Sequence, residues 1–210
     1  MITKRQEKLK NKMKQAMIKM EEIIMNYTME ERYQLIQKHI IHYQSTNPID
    51  IVLDMMKHDF ISMHGPEHHF LDGASLLVSY HNAIGQINLN DALNTFATRT
   101  IKMPGAMCGQ WGICGSSASI GAALSIIHET GPLSDNDFYK DHMALTSMII
   151  EKEGKIGGPR CCKRNAFIAL TTAVEFINEK YEVQLQLSPI TCQFSSINPQ
   201  CITKRCPFHQ

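Results

Sequence analysis

Apolar residues recur at steps of three and four along most of the chain, the spacing of one face of a helix, and one stretch switches to strict alternation. Leu9, Met13, Ala16, Met17, Met20, Ile23 and Ile24 make a first stripe over residues 4–25. Thr28-Met29-Glu30-Glu31 has the form of a capping box, and it predicts a helix to about Gln44. Thr46-Asn47-Pro48 then breaks the chain, with Pro48 suited to the first position of a helix reaching about Met63. Further helices are predicted from the His64–His69 turn through Ala83, over 91–102 behind Asn88 or Asn90, from Ser116 to His128, from Ser134 or Asp135 to about Glu151, and from the 160–164 turn to about Lys180. Tyr181-Glu182-Val183-Gln184-Leu185-Gln186-Leu187 alternates apolar and polar, which predicts one short strand or hairpin. The expected architecture is mainly α: a single helical domain over 47–210, with an N-terminal helical appendage over 1–46.

Length and charge narrow the function classes. A chain of 210 residues buries roughly 70% of its unfolded surface as one domain. With a formal net charge of +1, steering of the whole protein toward nucleic acid is not expected. The basic face of the first stripe, which includes Lys4, Arg5, Lys8, Lys10, Lys12, Lys14 and Lys19, leaves partner docking open. No run of residues is apolar enough for a secretory signal or a membrane span, so a cytoplasmic setting is expected. In that setting the seven cysteines read as metal ligands or redox thiols. The thirteen methionines read as adaptable core filler.

Chemistry concentrates in four places. Met103 to Gly115 carries Pro104 and four glycines, a pattern that predicts an irregular loop bearing Cys108 and Cys114. Cys114 stands where a helix begins, so the helix dipole is expected to favour its thiolate, with Trp111 shielding the thiols. A second glycine-proline turn leads into Arg160-Cys161-Cys162-Lys163-Arg164, and the tail adds Cys192, Cys201 and Cys206. Cys108, Cys114, Cys161, Cys162, Cys192, Cys201, Cys206 and His64 are therefore candidate metal ligands. Adjacent cysteines point apart, so Cys161 and Cys162 are not both expected on one metal. The irregular spacing suits an iron-sulfur cluster, of the four-iron type, better than a zinc ribbon. Zinc, and metal-free thiol chemistry with Cys162 as nucleophile, remain alternatives.

His68 and His69 are candidate catalytic bases, kept neutral at a helix start, with Glu67 as an orienting acceptor. Arg160, Lys163 and Arg164, together with Trp111, are candidate cofactor-binding or anion-holding groups, which implies a small-molecule or anionic substrate. Loop, turn and tail thiols are expected to meet in a single pocket. No dinucleotide fingerprint, Walker loop or nucleophile elbow is present.

His64-Gly-Pro-Glu-His-His69, Cys108-Gly-Gln-Trp-Gly-Ile-Cys-Gly115, Gly157-Gly-Pro-Arg-Cys-Cys-Lys-Arg164 and Cys206-Pro-Phe together resemble the signature blocks of a cysteine-rich prokaryotic family of unknown function, common in anaerobes. The resemblance covers about 48–210. It implies a metal-dependent or thiol-dependent role, with some relatives joined to methyltransferase-like modules. A redox or methyltransferase partner protein is the corresponding expectation. Taken together, these readings point to an iron-sulfur or other metal-thiolate protein, an enzyme or electron carrier in redox, sulfur-transfer or methyl-transfer metabolism. The alternatives are a zinc-stabilised binding module and a metal-free dithiol protein.

Overall fold

Short-range capping decides where most helices begin. In the computed structural model, which describes residues 27–209, α1 (Met29–Ile40) starts at Thr28. The Thr28 hydroxyl accepts from the Glu31 amide at 3.2 Å, and the Glu31 carboxylate accepts from the Thr28 amide at 2.7 Å. Asn47 caps α2 (Pro48–Met55), accepting from the Ile49 amide at 3.0 Å. Next come α3 (Glu67–Ile84), then α4 (Leu89–Thr100) behind the Asn88 cap. One helical turn, α5 (Met107–Gln110), forms inside the loop expected to be irregular. After it come α6 (Gly115–Ile127), α7 (Asp137–Ile156) behind an Asn136 cap, α8 (Cys162–Tyr181) and a 3-10 turn at Thr203–Arg205. The second helix ends at Met55 rather than near Met63 because 56–66 folds into turns that carry the chain to the start of α3.

α3 is the axis of the core. It packs on α1, α2, α4, α6 and α8, and every residue from Glu67 to Tyr80 is buried. Phe70, Leu71, Leu76 and Leu77 are wholly enclosed, each worth roughly 1.5–3 kcal/mol of transfer free energy. Small residues on both helices bring α3 and α6 close. At Gly73 an added Cβ would overlap the Phe96 ring, and the Gly73 amide donates to Ser119 Oγ at 2.9 Å. α6 also packs on α4, α7 and α8. Tyr33, Ile36 and Ile40 of α1 belong to the same core. The basic stripe over 4–25 lies outside the described residues.

The short strand expected over 181–187 does not form. Tyr181 closes α8, Glu182 turns the chain at positive φ, and no strand occurs among the described residues. The alternation records burial instead: Val183 and Leu185 face the core. No second strand lies alongside among the described residues. The Asn178 side chain takes both the Leu185 amide, at 3.0 Å, and its carbonyl, at 2.8 Å, and the Gln186 amide donates to Thr46 O at 3.1 Å. No helix among the described residues is long and apolar enough to cross a membrane.

Candidate functional site

The N-termini of α3, α6 and α8 all open onto one region, and this sorts the cysteines. Cys161 is the residue before α8 and Cys162 its first residue, so their side chains leave in different directions. Cys161 joins Cys192, Cys201 and Cys206 around a cavity of about 20 Å³, the room of a single small ion. Cys162 joins Cys108 and Cys114 on a separate cavity of about 260 Å³ that is also lined by His64, His68 and His69. The expected single pocket is therefore two, because the helix start acts as a partition.

Amides point at the sulfurs of the tail cavity. The Arg164 amide donates to Cys161 Sγ at 3.5 Å, the Thr203 amide to Cys201 Sγ at 3.4 Å, and the Phe194 amide to Cys192. Asn198 Nδ2 adds a second donor to Cys161 at 3.5 Å. Such donors stabilise thiolates bound to a soft metal. Burial raises the Cys192 thiol above its ordinary range, the Phe194 amide opposes this, and the three neighbouring thiols add to the rise. Four thiols around one small space, three of them facing amide donors, are a chemically apt set for one thiophilic ion, whose charge would draw off their protons. Among the described residues, no three His, Cys, Asp or Glu side chains stand close enough together to hold an ion as placed.

Buried polar groups of α3 lie at and behind the larger cavity. His68, His69 and Asp72 of α3 are buried, and His68 Nδ1, His69 Nδ1 and Asp72 Oδ1 have no hydrogen-bond partner among the described residues. Ser116 Oγ donates to Asp72 Oδ2 at 2.6 Å. His68 Nδ1 lies 3.7 Å from Asp72 Oδ1, and its Nε2 lies 3.1 Å from Ser62 O. The His69 ring lies on Gly115, where any Cβ would overlap it. His64 is placed as a latch rather than a ligand. Its Nδ1 accepts from the Cys162 amide at 3.3 Å and its Nε2 faces Asn198 Oδ1 at 3.1 Å, so both nitrogens are engaged. Burial lowers the proton affinity of His64 and of His69, in line with neutral imidazoles.

Two expectations about these groups are reversed. Cys114 stands at the start of α6, yet burial, with Glu153 adding to it, pushes its thiol up to about 12. Burial does the same to Cys162, so desolvation outweighs the dipole and both are neutral thiols at rest. Glu67 does not orient a histidine. It pairs with Arg32 at 3.5 Å and accepts from the Ser62 amide at 2.8 Å and from the Ser62 hydroxyl.

The remaining predicted residues scatter. Trp111 is 65% exposed and covers nothing. Lys163 turns inward, donating to Ser62 O at 2.9 Å and standing 3.3 Å from His68 Nε2, and burial brings its ammonium down to about 8. Arg164 is spent on the turn, donating to Gly157 O and Pro159 O at 3.0 Å each. Arg160 alone of the three stays exposed, lining the thiol-imidazole cavity and a neighbouring cleft of about 300 Å³. That cleft brings in Glu153 and Asn165, which the sequence reading missed. Nothing local marks Glu153, whereas the four-residue spacing of His68 and Asp72 at a helix start was a visible signal.

No curated protein and no solved structure matches the chain. A family model matches residues 36–209, a span that takes in both cavities and all seven cysteines. By that match, the chain belongs to the family of unknown function designated DUF5714.

Proposed function

We propose that the protein is a metal-thiolate enzyme. Cys161, Cys192, Cys201 and Cys206 hold one soft ion, iron or zinc, and redox or group-transfer chemistry on a small anionic molecule runs in the adjoining thiol-imidazole cavity. The observation that carries this reading is the set of four thiols around a space of about 20 Å³, with backbone and Asn198 amides directed at three of the sulfurs. The room favours a single ion over the four-iron cluster that the sequence suggested. When bound, the ion would supply positive charge beside the chemistry. The chain's own groups do the rest: Asn198 and His64 join the two cavities through hydrogen bonds, and Arg160 offers charge at the rim.

Anaerobic purification followed by metal and sulfide analysis tests this. One ion per chain without acid-labile sulfide is expected, lost in Cys201→Ser and Cys206→Ser and kept in Cys108→Ser. A chain with no stoichiometric metal, or one that loses its metal with Cys108, would refute the assignment.

A further inference from the structure

Cys114 is half-buried and belongs to two spaces at once, the thiol-imidazole cavity and the glycine-lined cleft. Asn165 Nδ2 donates to its sulfur at 3.1 Å. Glu153 of α7 lines the same cleft as Cys114 and accepts from Ser117 Oγ at 2.7 Å, and the Cys114 thiol acts on the same carboxyl. The other oxygen, Glu153 Oε1, is buried with no donor in hydrogen-bond geometry among the described residues. A thiol, a carboxyl beside it and an amide aimed at the sulfur are the parts of an activated nucleophile.

We infer that Cys114 is a nucleophile, with Glu153 as its general base and Asn165 as the donor that steadies its thiolate, and that it attacks the S–S bond of a small anionic disulfide. This deepens the proposed function: it rests on the reaction cavity of that reading and not on the ion. A sulfur electrophile is indicated because Cys108 and Cys162 share the cavity with Cys114, an arrangement suited to thiol exchange. Arg160 at the rim of both spaces matches an anionic group. Gly109, Gly112, Gly154, Gly157 and Gly158 leave the cleft free of side chains where the ligand would lie.

In the step, Glu153 takes the Sγ proton and Sγ bonds to one sulfur of RS–SR. The S–S bond breaks, its electron pair leaves with the departing sulfur, and Glu153 returns the proton to it. The products are Cys114–S–S–R and RSH, with no outside oxidant. Burial raises Glu153 to about 7; Ser117, Cys114 and Arg164 favour its ionised form and Asp72 opposes it. The base is therefore half-ionised near neutral pH, the optimum for such a role.

The test uses the full-length, metal-loaded protein without oxygen and the anionic aryl disulfide dithiobis(nitrobenzoate). Cys108→Ser is the background, because tryptic peptide 103–140 contains only Cys108 and Cys114, so labelling of that peptide then reports Cys114 alone. Labelling is expected to rise with pH about a midpoint near 7. Glu153→Gln, which keeps the shape of the side chain, should slow it at least about tenfold at neutral pH and move the rise to alkaline pH, where the thiol ionises unaided. Asn165→Ala should slow it as well. Identical pH profiles with and without Glu153, or an unlabelled Cys114, would overturn the inference. Metal content is measured on every variant. Loss of metal in Glu153→Gln would make Cys114 part of an ion site and overturn the inference too, whereas a metal-free protein showing the expected profile would refute only the ion assignment.

Discussion

Glu153 makes a prediction about stability that needs no substrate. Its carboxyl ionises at about 4.5 in the unfolded chain and at about 7 in the fold, because burial disfavours the charge more than Ser117 and Cys114 restore it. Below pH 4.5 both states hold the proton and the group is neutral toward stability. Between 4.5 and 7 only the unfolded state releases it, so each step up in pH favours unfolding. Above 7 both states are ionised and the penalty is constant. The gap is worth at most about 3.5 kcal/mol, at roughly 1.4 kcal/mol per tenfold change in proton affinity. Glu153→Gln cannot ionise and escapes the penalty. Urea unfolding of the wild type and of Glu153→Gln from pH 4 to 8 should give nearly equal stabilities at the acid end and a growing advantage for the variant up to about pH 7.5. Protonation of the metal thiolates is common to both proteins and cancels in the difference. A stability difference that does not change with pH, or one that shrinks as pH rises, would refute the reasoning.

Other perturbations reach other parts of the structure. Gly115→Ala drives a Cβ into the His69 ring and should cost about 1–3 kcal/mol by denaturant unfolding, with His69→Ala recovering most of the loss in the double variant. His64→Ala removes the partner of the Cys162 amide and of Asn198, and should weaken ion binding roughly 10- to 100-fold in chelator competition. Unchanged affinity would show that the two cavities are not joined through this ring. Thr28→Ala breaks the capping box of α1 and should destabilise by about 1 kcal/mol, measured by thermal unfolding.

Much of the helical layout was legible because its causes are local. Thr28 and Glu31, or Asn47 and Ile49, satisfy each other within one turn, so a reader of the chain meets both partners together. The alternation over 181–187 misled for a related reason. It correctly marks which residues are buried, but a strand also needs a neighbouring strand, and the Asn178 side chain stands in that place.

The cysteines show the limit most clearly. Sequence alone marked all seven as chemical, together with His68, His69 and Arg160, because thiols and imidazoles cluster beside glycines at helix starts. Which sulfur faces which cavity was decided by tertiary structure, since Cys161 and Cys162 leave the start of α8 in different directions and their companions arrive from 31 to 98 residues away, Cys192 on one side and His64 on the other. The same holds for charge. Lys163 and Arg164 read as free cations in the chain, but packing turned one into the core and tied the other to the turn, while Glu153, unremarkable on α7, was carried to Cys114 by the contact of α7 with α6. Residue type sets what a group can do; burial and long-range neighbours set whether it is charged, engaged or available, and those appear only when the helices are packed.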